Sequence, residues 1–180
     1  MVIKNQFIMK KVLISLFALM AVMTVQAQTI CATWRSMQPI VETDDDESFT
    51  AQHFTYTFNE DGTYTLVDEM TIASEPAQTM ALEVATNVMI KGTYTLQGDK
   101  LTLTPDKKSY KTELINISRN GRVVNDAKVK TNINKMVNSY DFKERFTNAE
   151  SCTVRIGDYS LDMTKGGQTY NFVRLATIKN

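Results

Sequence analysis

The sequence predicts a mainly β protein with one inserted helix, folded as an up-and-down antiparallel β-barrel of about eight or nine strands. Apolar and polar residues alternate with a period of two over most of the chain after residue 48, as half-buried strands require. Short turns rich in Asn, Asp and Gly separate these stretches, and such turns join antiparallel neighbours. Consecutive hairpins favour a closed meander, which removes exposed sheet edges; a two-sheet sandwich is the alternative.

The strands are predicted in chain order from this alternation. The first holds Trp34, the only tryptophan, and the segment 38–48 after it is predicted to be a loop because it contains Pro39 and the acidic run 44–47. We favour a solvated loop over a calcium site there, because the run lacks the alternating ligands of known calcium loops. Gly92, inside a long strand, is predicted to mark a bulge or a bend. The predicted strands are 29–37, 49–58, 63–72, 80–97, 100–105, 107–118 and three short ones within 152–175.

One amphipathic helix is predicted near 125–146, before the last strands. Its apolar residues recur at helical spacing, Asn125 is the predicted N-cap, and the helix is expected to end or bend near Ser139. The simplest role for this stripe is docking onto the sheet; a membrane-surface helix is the weaker alternative, because the stripe is narrow. The stripe consists of Val129, Ile133, Met136, Val137 and Tyr140.

Residues 1–27 are predicted to be an N-terminal extension followed by a cleaved signal peptide that starts at Met9. Two lysines precede an apolar run over 12–25, and Ala27 offers a small residue for cleavage. A membrane anchor is the alternative, but this run is shorter than the roughly 20 residues that a spanning helix needs. The single mature domain would then be 28–180, secreted or periplasmic, with no integral membrane span.

The charge balance gives no support to a nucleic-acid partner. The whole chain has a formal net charge of zero, and removing residues 1–27 takes away three lysines and no acidic residue, which leaves −3. Cys31 and Cys152 both lie in the exported part, where a disulfide between them is predicted; two buried thiols are the alternative.

No pattern in the sequence predicts catalysis. His53 is the only histidine, and no serine stands in a G-x-S-x-G motif. A transition-metal site needs several His or Cys ligands, and one histidine with two cysteines predicted to pair does not provide them. We therefore expect a protein that is not an enzyme and that has no catalytic residue, no metal and no cofactor.

The two hairpins and the closing strand resemble those of the small secreted lipocalin-like (calycin-type) β-barrel proteins of Gram-negative bacteria. That family typically has a Trp on the first strand, here Trp34, and ends on a strand with Phe and Arg, here Phe172 and Arg174. The chain departs from the pattern at Ala32, where glycine is usual, and in having its helix before the last strands. The hairpin motifs are matched by Phe58, Asp61, Gly62 and Tyr64 and by Gly92, Tyr94, Gly98, Asp99 and Leu101.

The resemblance implies a fold and, less specifically, a function. It implies that Trp34 and Arg174 form a cation–π pair that closes one end of the barrel. It also implies binding of a small apolar or amphipathic ligand in the interior, without catalysis. A filled barrel that acts as an interaction or structural module is the alternative, and an enzyme acting on a lipid-like substrate is a third hypothesis. The sequence leaves open which sheet face points inward; the candidate ligand-binding residues are Phe54, Tyr56, Phe58, Tyr64, Leu66, Met70, Met80, Met89, Tyr94, Leu96, Leu101 and Leu103.

Overall fold

A computed structural model describes residues 30–44, 48–74 and 82–176. The predicted leader 1–27, Met80 and the acidic residues 45–47 lie outside this part of the chain. The described residues form eleven strands, and two α-helices, α1 (Ala127–Val137) and α2 (Tyr140–Thr147), connect β8 to β9. The strands are β1 (Thr33–Ser36), β2 (Ile40–Asp44), β3 (Ser48–Phe58), β4 (Thr63–Ser74), β5 (Leu82–Gln97), β6 (Lys100–Pro105), β7 (Lys111–Arg119), β8 (Arg122–Val123), β9 (Glu150–Ile156), β10 (Ser160–Lys165) and β11 (Gln168–Arg174).

Eight of the strands close into an antiparallel barrel. Their order around the barrel is β1, β3, β4, β5, β6, β9, β10 and β11, and β11 pairs back onto β1. In that last pairing Trp34 lies opposite Arg174. The barrel confirms the predicted all-β, up-and-down fold, because every barrel strand pairs with the next barrel strand along the chain.

Three further strands extend the sheet beyond the barrel. β3, β4 and β5 are 11, 12 and 16 residues long, and β2 and β7 pair with the ends of β3 and β5 that project from the barrel. The prediction of a loop over 38–48 is therefore wrong for Ile40–Asp44, which pairs with β3 from Ser48 to Gln52. Pairing with an open edge outweighs the poor strand propensity of this acidic segment.

Strand β5 changes partners along its length: residues 82–89 pair with β7, and residues 92–97 pair with β6. The segment 107–118, predicted as a single strand, begins with a short 3-10 helix at Lys107–Ser109, and the Ser109 hydroxyl bonds both the N–H and the C=O of Lys91. A Cβ at the next residue, Gly92, would lie 2.3 Å from the carbonyl oxygen of Thr104, so only glycine fits there. The register shift between β5 and β7 falls at Ala85/Thr86, and the pairing of β5 with β4 and β6 continues through Gly92 without a shift, so the predicted bulge at Gly92 is wrong.

The predicted helix is divided in two. Ser139 is the N-cap of α2, and its hydroxyl accepts a hydrogen bond from the N–H of Phe142 at 3.3 Å. The N-cap of α1 is Asp126 and not the predicted Asn125, because the Asp126 carboxylate accepts from two N–H groups of the first turn. The Tyr110 hydroxyl donates to the Val137 carbonyl at 2.6 Å and ties the end of α1 to the sheet.

The barrel has two unlike ends. We call one the closed end: it is filled by buried side chains, and the turns after β3, β5 and β9 meet there. The other, the open end, is partly covered by α2 and β2 and contains a cavity. The residues that fill the closed end are Ile30, Trp34, Phe58, Tyr94, Leu96, Leu101, Val154 and Leu161.

Candidate functional site in the open end of the barrel

The open end encloses a cavity of about 250 Å³. Side chains from the barrel strands form its walls, while Ile40 of β2 and Phe146 of α2 contribute from the covering elements. Its surface combines aromatic and aliphatic side chains with charged and amide groups, and an apolar lining with polar groups among it is usual for a small-molecule site. The aromatic residues of the lining are Phe54, Tyr56, Tyr64, Phe146, Tyr170 and Phe172.

Alternation along the strands puts the aromatic face inside. Tyr56 is 6% exposed, whereas its neighbours Thr55 and Thr57 face outward and are partly exposed. The sequence left this choice of face open, and the structure resolves it. A strand that alternates aromatic residues with threonines thus supplies the cavity wall from one face and the polar exterior from the other.

The structure divides the predicted ligand-binding residues between the two ends. Four of them, Phe58, Tyr94, Leu96 and Leu101, pack in the closed end and do not line the cavity. Met70 is buried but does not line the cavity, Met89 is 38% exposed outside the barrel, and Met80 is not described. The predicted residues that do line the cavity are Phe54, Tyr56, Tyr64, Leu66 and Leu103.

The two tyrosines of the cavity wall have unusual surroundings. Tyr56 and Tyr64 are 6% and 2% exposed, and their rings lie 6.4 Å apart. Burial, together with the nearby Glu150 carboxylate, holds the pKa of both phenols well above the usual value, so both keep their protons. Within the described residues neither hydroxyl has a hydrogen-bond partner. Both are therefore available as donors to a bound molecule.

Two ion pairs lie at the mouth of the cavity. Arg145 of α2 donates to Glu42 of β2 at 2.9 Å, and Lys165 of β10 pairs with Glu150 of β9. All four side chains line the cavity. Because each cation is paired with a carboxylate, the charges of these four side chains sum to zero.

A buried carboxyl group stands behind the cavity wall. Gln52 lines the cavity, and its Nε2 donates to Asp68 Oδ2 at 2.6 Å. Burial raises the pKa of Asp68 to about 7, with the Gln52 hydrogen bond opposing the shift. Asp68 Oδ1 is the one fully buried side-chain oxygen or nitrogen without a hydrogen-bond partner in the described part of the chain.

The predicted disulfide between Cys31 and Cys152 is not formed in the structure. The two thiols have different surroundings, since Cys31 Sγ lies 3.3 Å from the Tyr94 hydroxyl at the closed end, whereas Cys152 lines the cavity. Burial raises the pKa of the Cys152 thiol to about 11, which keeps it protonated and weakly nucleophilic at neutral pH.

The residues expected to close the barrel lie together. The Arg174 guanidinium carbon is 5.9 Å from the centroid of the Trp34 ring, within the range of a cation–π contact. Trp34 is fully buried, and its indole N–H donates to the Ile30 carbonyl at 2.8 Å. This pair lies away from the cavity, so its contribution is to the barrel wall.

The described residues offer little for covalent or metal chemistry. No group of three or more His, Cys, Asp or Glu side chains in them is placed to hold a metal ion. His53 Nδ1 lies 3.3 Å from the Ser36 hydroxyl, and neither residue lines the cavity. None of the helices in the same part of the chain has the length and apolar character needed to cross a membrane.

Sequence reasoning missed the polar residues of the site, although a signal was present. Gln52 shares the strand face of Phe54 and Tyr56, and Asp68 shares the face of Leu66. A polar residue that interrupts an otherwise apolar face indicates either a buried hydrogen bond or a binding site. The missed residues are Glu42, Gln52, Asp68, Arg145, Asn148, Glu150 and Lys165, of which all but Asp68 line the cavity.

Comparisons with known proteins add little to this geometry. No protein-family model matches the chain, and no curated protein matches it. Among solved structures, an uncharacterised protein from Bacteroides eggerthii aligns with 80% of this chain and 98% of that chain, at 14% identity and a TM-score of 0.39. A likeness at that level supports no statement about this chain.

Proposed function

We propose that this chain is an exported, lipocalin-like carrier that binds one small amphipathic molecule in the open end of its barrel and does no covalent chemistry on it. The observation that supports this is the cavity of about 250 Å³ with its aromatic wall. Its volume lies just below the roughly 300–1,000 Å³ of typical ligand pockets, which favours a small ligand.

The arrangement of polar groups favours an amphipathic ligand over a purely apolar one. The wall combines apolar side chains such as Leu66 and Leu103 with the hydroxyls of Tyr56 and Tyr64, and charged side chains surround the mouth. A molecule with a flat apolar body and a polar group would match both parts. Export rests on the predicted leader 1–27, and the lipocalin-like assignment rests on the closed eight-strand barrel with Trp34 and Arg174 in contact.

The alternative of a filled barrel acting as an interaction module is less well supported. Such a barrel would have no interior space beyond that of a few waters, and one water occupies roughly 30 Å³ of liquid. A cavity of about 250 Å³ is several times that volume. Ligand binding is therefore the function that the geometry favours.

Native mass spectrometry of the full chain, expressed with its own leader and purified from the periplasm without detergent, tests the proposal. We expect a reproducible small-molecule adduct that is lost on denaturation. Leu103→Trp, which fills the cavity from β6, should remove the adduct. Thr104→Trp, at the next position on the outer face, should retain it. A clean apo mass after incubation with several lipid and metabolite extracts would contradict the proposal.

A further inference from the structure

We infer that the molecule bound in this cavity is uncharged and carries a hydroxyl or carbonyl oxygen on a flat, aromatic-like frame, and that Tyr56 and Tyr64 select it through that oxygen. This inference rests on the proposed function and specifies its ligand class. Three properties of the cavity support it: the pairing of its charges, the arrangement of its rings, and the two hydroxyls without partners.

The charges of the cavity already compensate one another. Arg145 is paired with Glu42, and Lys165 is paired with Glu150. A ligand with a carboxylate, a phosphate or an ammonium group would have to replace one side chain of an ion pair. The replaced side chain has the same sign of charge as the ligand and would remain close to it, which is unfavourable. An uncharged ligand disturbs neither pair, so the cavity matches a neutral molecule best.

The rings of the wall meet one another at tilted and edge-to-face angles. Tyr56 and Phe172 meet edge to face, with centroids 5.7 Å apart and an angle of 72° between the planes. Phe54 and Tyr56 are tilted at 44° with centroids 6.4 Å apart. Rings in such orientations present both edges and faces, which are the surfaces that another aromatic ring prefers to contact.

The hydroxyls determine the polar part of the ligand. A purely apolar ligand would seal the Tyr56 and Tyr64 hydroxyls away from water without giving them an acceptor, which is unfavourable. A ligand oxygen can accept from them, because both phenols keep their protons. The preference for a neutral oxygen comes from the paired charges at the mouth and not from the hydroxyls. By contrast, the Tyr94 hydroxyl at the closed end already donates to the Asn59 carbonyl at 2.9 Å.

The test uses three bicyclic probes of similar shape: naphthalene, 2-naphthol and 2-naphthoate. Binding to the full chain, purified from the periplasm and stripped of any adduct, is followed by isothermal titration and probe fluorescence. We expect 2-naphthol to bind about fivefold or more tighter than naphthalene, as one added hydrogen bond predicts, and 2-naphthoate to bind weakest. Tyr56→Phe together with Tyr64→Phe should abolish the preference for 2-naphthol. It should weaken 2-naphthol binding and tighten naphthalene binding, because no hydroxyl is then sealed without an acceptor.

Tyr159→Phe is the matched control, because it makes the same chemical change at a tyrosine that is 80% exposed and away from the cavity. Its preference for 2-naphthol should equal that of the unmodified chain. Each single Tyr→Phe variant is also tested, and near-ultraviolet circular dichroism checks that every variant retains the native packing. Should the double variant fail to fold, the single variants carry the test.

Different failures have different meanings. Tightest binding of 2-naphthoate would show an anion site and overturn the inference, while the carrier function would stand. Equal binding of naphthalene and 2-naphthol, unaffected by the Tyr→Phe changes, would also overturn the inference alone. If none of the three probes binds and the mass spectrum shows no adduct, the proposed function fails and the inference fails with it.

Discussion

The two ends of the barrel are built from the same residue types but differ in how their polar groups are satisfied. At the closed end the Tyr94 hydroxyl donates to the Asn59 carbonyl, and the Trp34 indole donates to the Ile30 carbonyl. At the open end the hydroxyls of Tyr56 and Tyr64 have no partner among the described residues. Protein cores satisfy nearly all buried polar groups, so unsatisfied donors beside a cavity are typical of a site that completes its hydrogen bonds with a ligand.

The difference follows from what lies over each end. Tight turns after β3 and β5 bring backbone carbonyls such as that of Asn59 over the closed end. The open end is covered instead by α2 and β2, which approach through charged side chains and leave space between themselves and the barrel wall. The closed end is therefore expected to contribute most to stability, whereas the open end has the space that the proposed ligand would occupy.

The largest expected contrast is in the cost of truncating one aromatic residue at each end. Trp34→Ala should lower the free energy of unfolding by about 3–5 kcal/mol, because the ring is fully buried and a cavity would remain. Phe54→Ala should cost about 1–2 kcal/mol, because that ring is only partly buried and already borders a cavity. Urea denaturation followed by circular dichroism measures both, and equal costs would contradict the division into two ends.

The pH dependence of stability should depend on Asp68. Burial raises its pKa from 3.8 to about 7, so the folded chain binds the proton more tightly than the unfolded chain does. The resulting stabilisation is complete below pH 3.8 and is lost as the pH rises through about 7. The slope in this window approaches about 1.4 kcal/mol per pH unit, which gives a loss of about 3 kcal/mol between pH 5 and 8.

Asp68→Asn should remove that slope, because the amide cannot titrate. Urea denaturation of both chains at pH 5 and pH 8 measures the difference, and subtracting the two pH profiles removes the contribution of every other titrating group. Asp158→Asn, at an exposed position, is the control and should leave the slope unchanged. Identical slopes in all three chains would mean that Asp68 is already ionised in the folded state at pH 5, which would contradict the raised pKa.

Removing one hydroxyl at each end gives a smaller but more specific contrast. Tyr94→Phe should cost about 1 kcal/mol, because it removes the hydrogen bond from the tyrosine hydroxyl to the Asn59 carbonyl, which then keeps only the bond from the Gly62 N–H at 3.2 Å. Tyr64→Phe should cost little or nothing, because its hydroxyl has no hydrogen bond to lose among the described residues. Thermal unfolding of the two variants measures the difference, and a clear loss of stability in Tyr64→Phe would mean that its hydroxyl is satisfied within the folded chain.

The fold was largely predictable because short stretches of the sequence specify most of its strands and turns. Alternation and turn residues near Asn59 and Gly98 specify hairpins without reference to the rest of the molecule. The prediction failed at Ile40–Asp44, whose strand exists because β3 extends beyond the barrel and offers it an edge. How far β3 projects depends on where the barrel closes. That is a property of the whole sheet, and the sequence of β2 alone does not show it.

The candidate site was only partly predictable. The alternation put Tyr56, Tyr64 and Tyr94 on the candidate ligand-binding faces of their strands, but it left open which face points inward and could not separate cavity from core. That separation depends on whether a carbonyl such as that of Asn59 comes within reach of each hydroxyl, which only the tertiary structure decides. The charged mouth was missed for a similar reason, because its members are brought together from distant parts of the chain.

The smallest expected effect is the coupling free energy of the ion pair between Arg145 and Glu42. Its size shows how firmly α2 and β2 are held together over the open end. The pair joins α2 to β2 across 103 residues of sequence, but both side chains are about half exposed. A double-mutant cycle with Arg145→Met and Glu42→Gln should give a coupling of about 0.5 kcal/mol that disappears in 1 M salt. A coupling above about 2 kcal/mol would mean that the pair is shielded from water, with α2 fixed over the cavity. Ligand entry would then require the helix to move, whereas a weak pair leaves the mouth open.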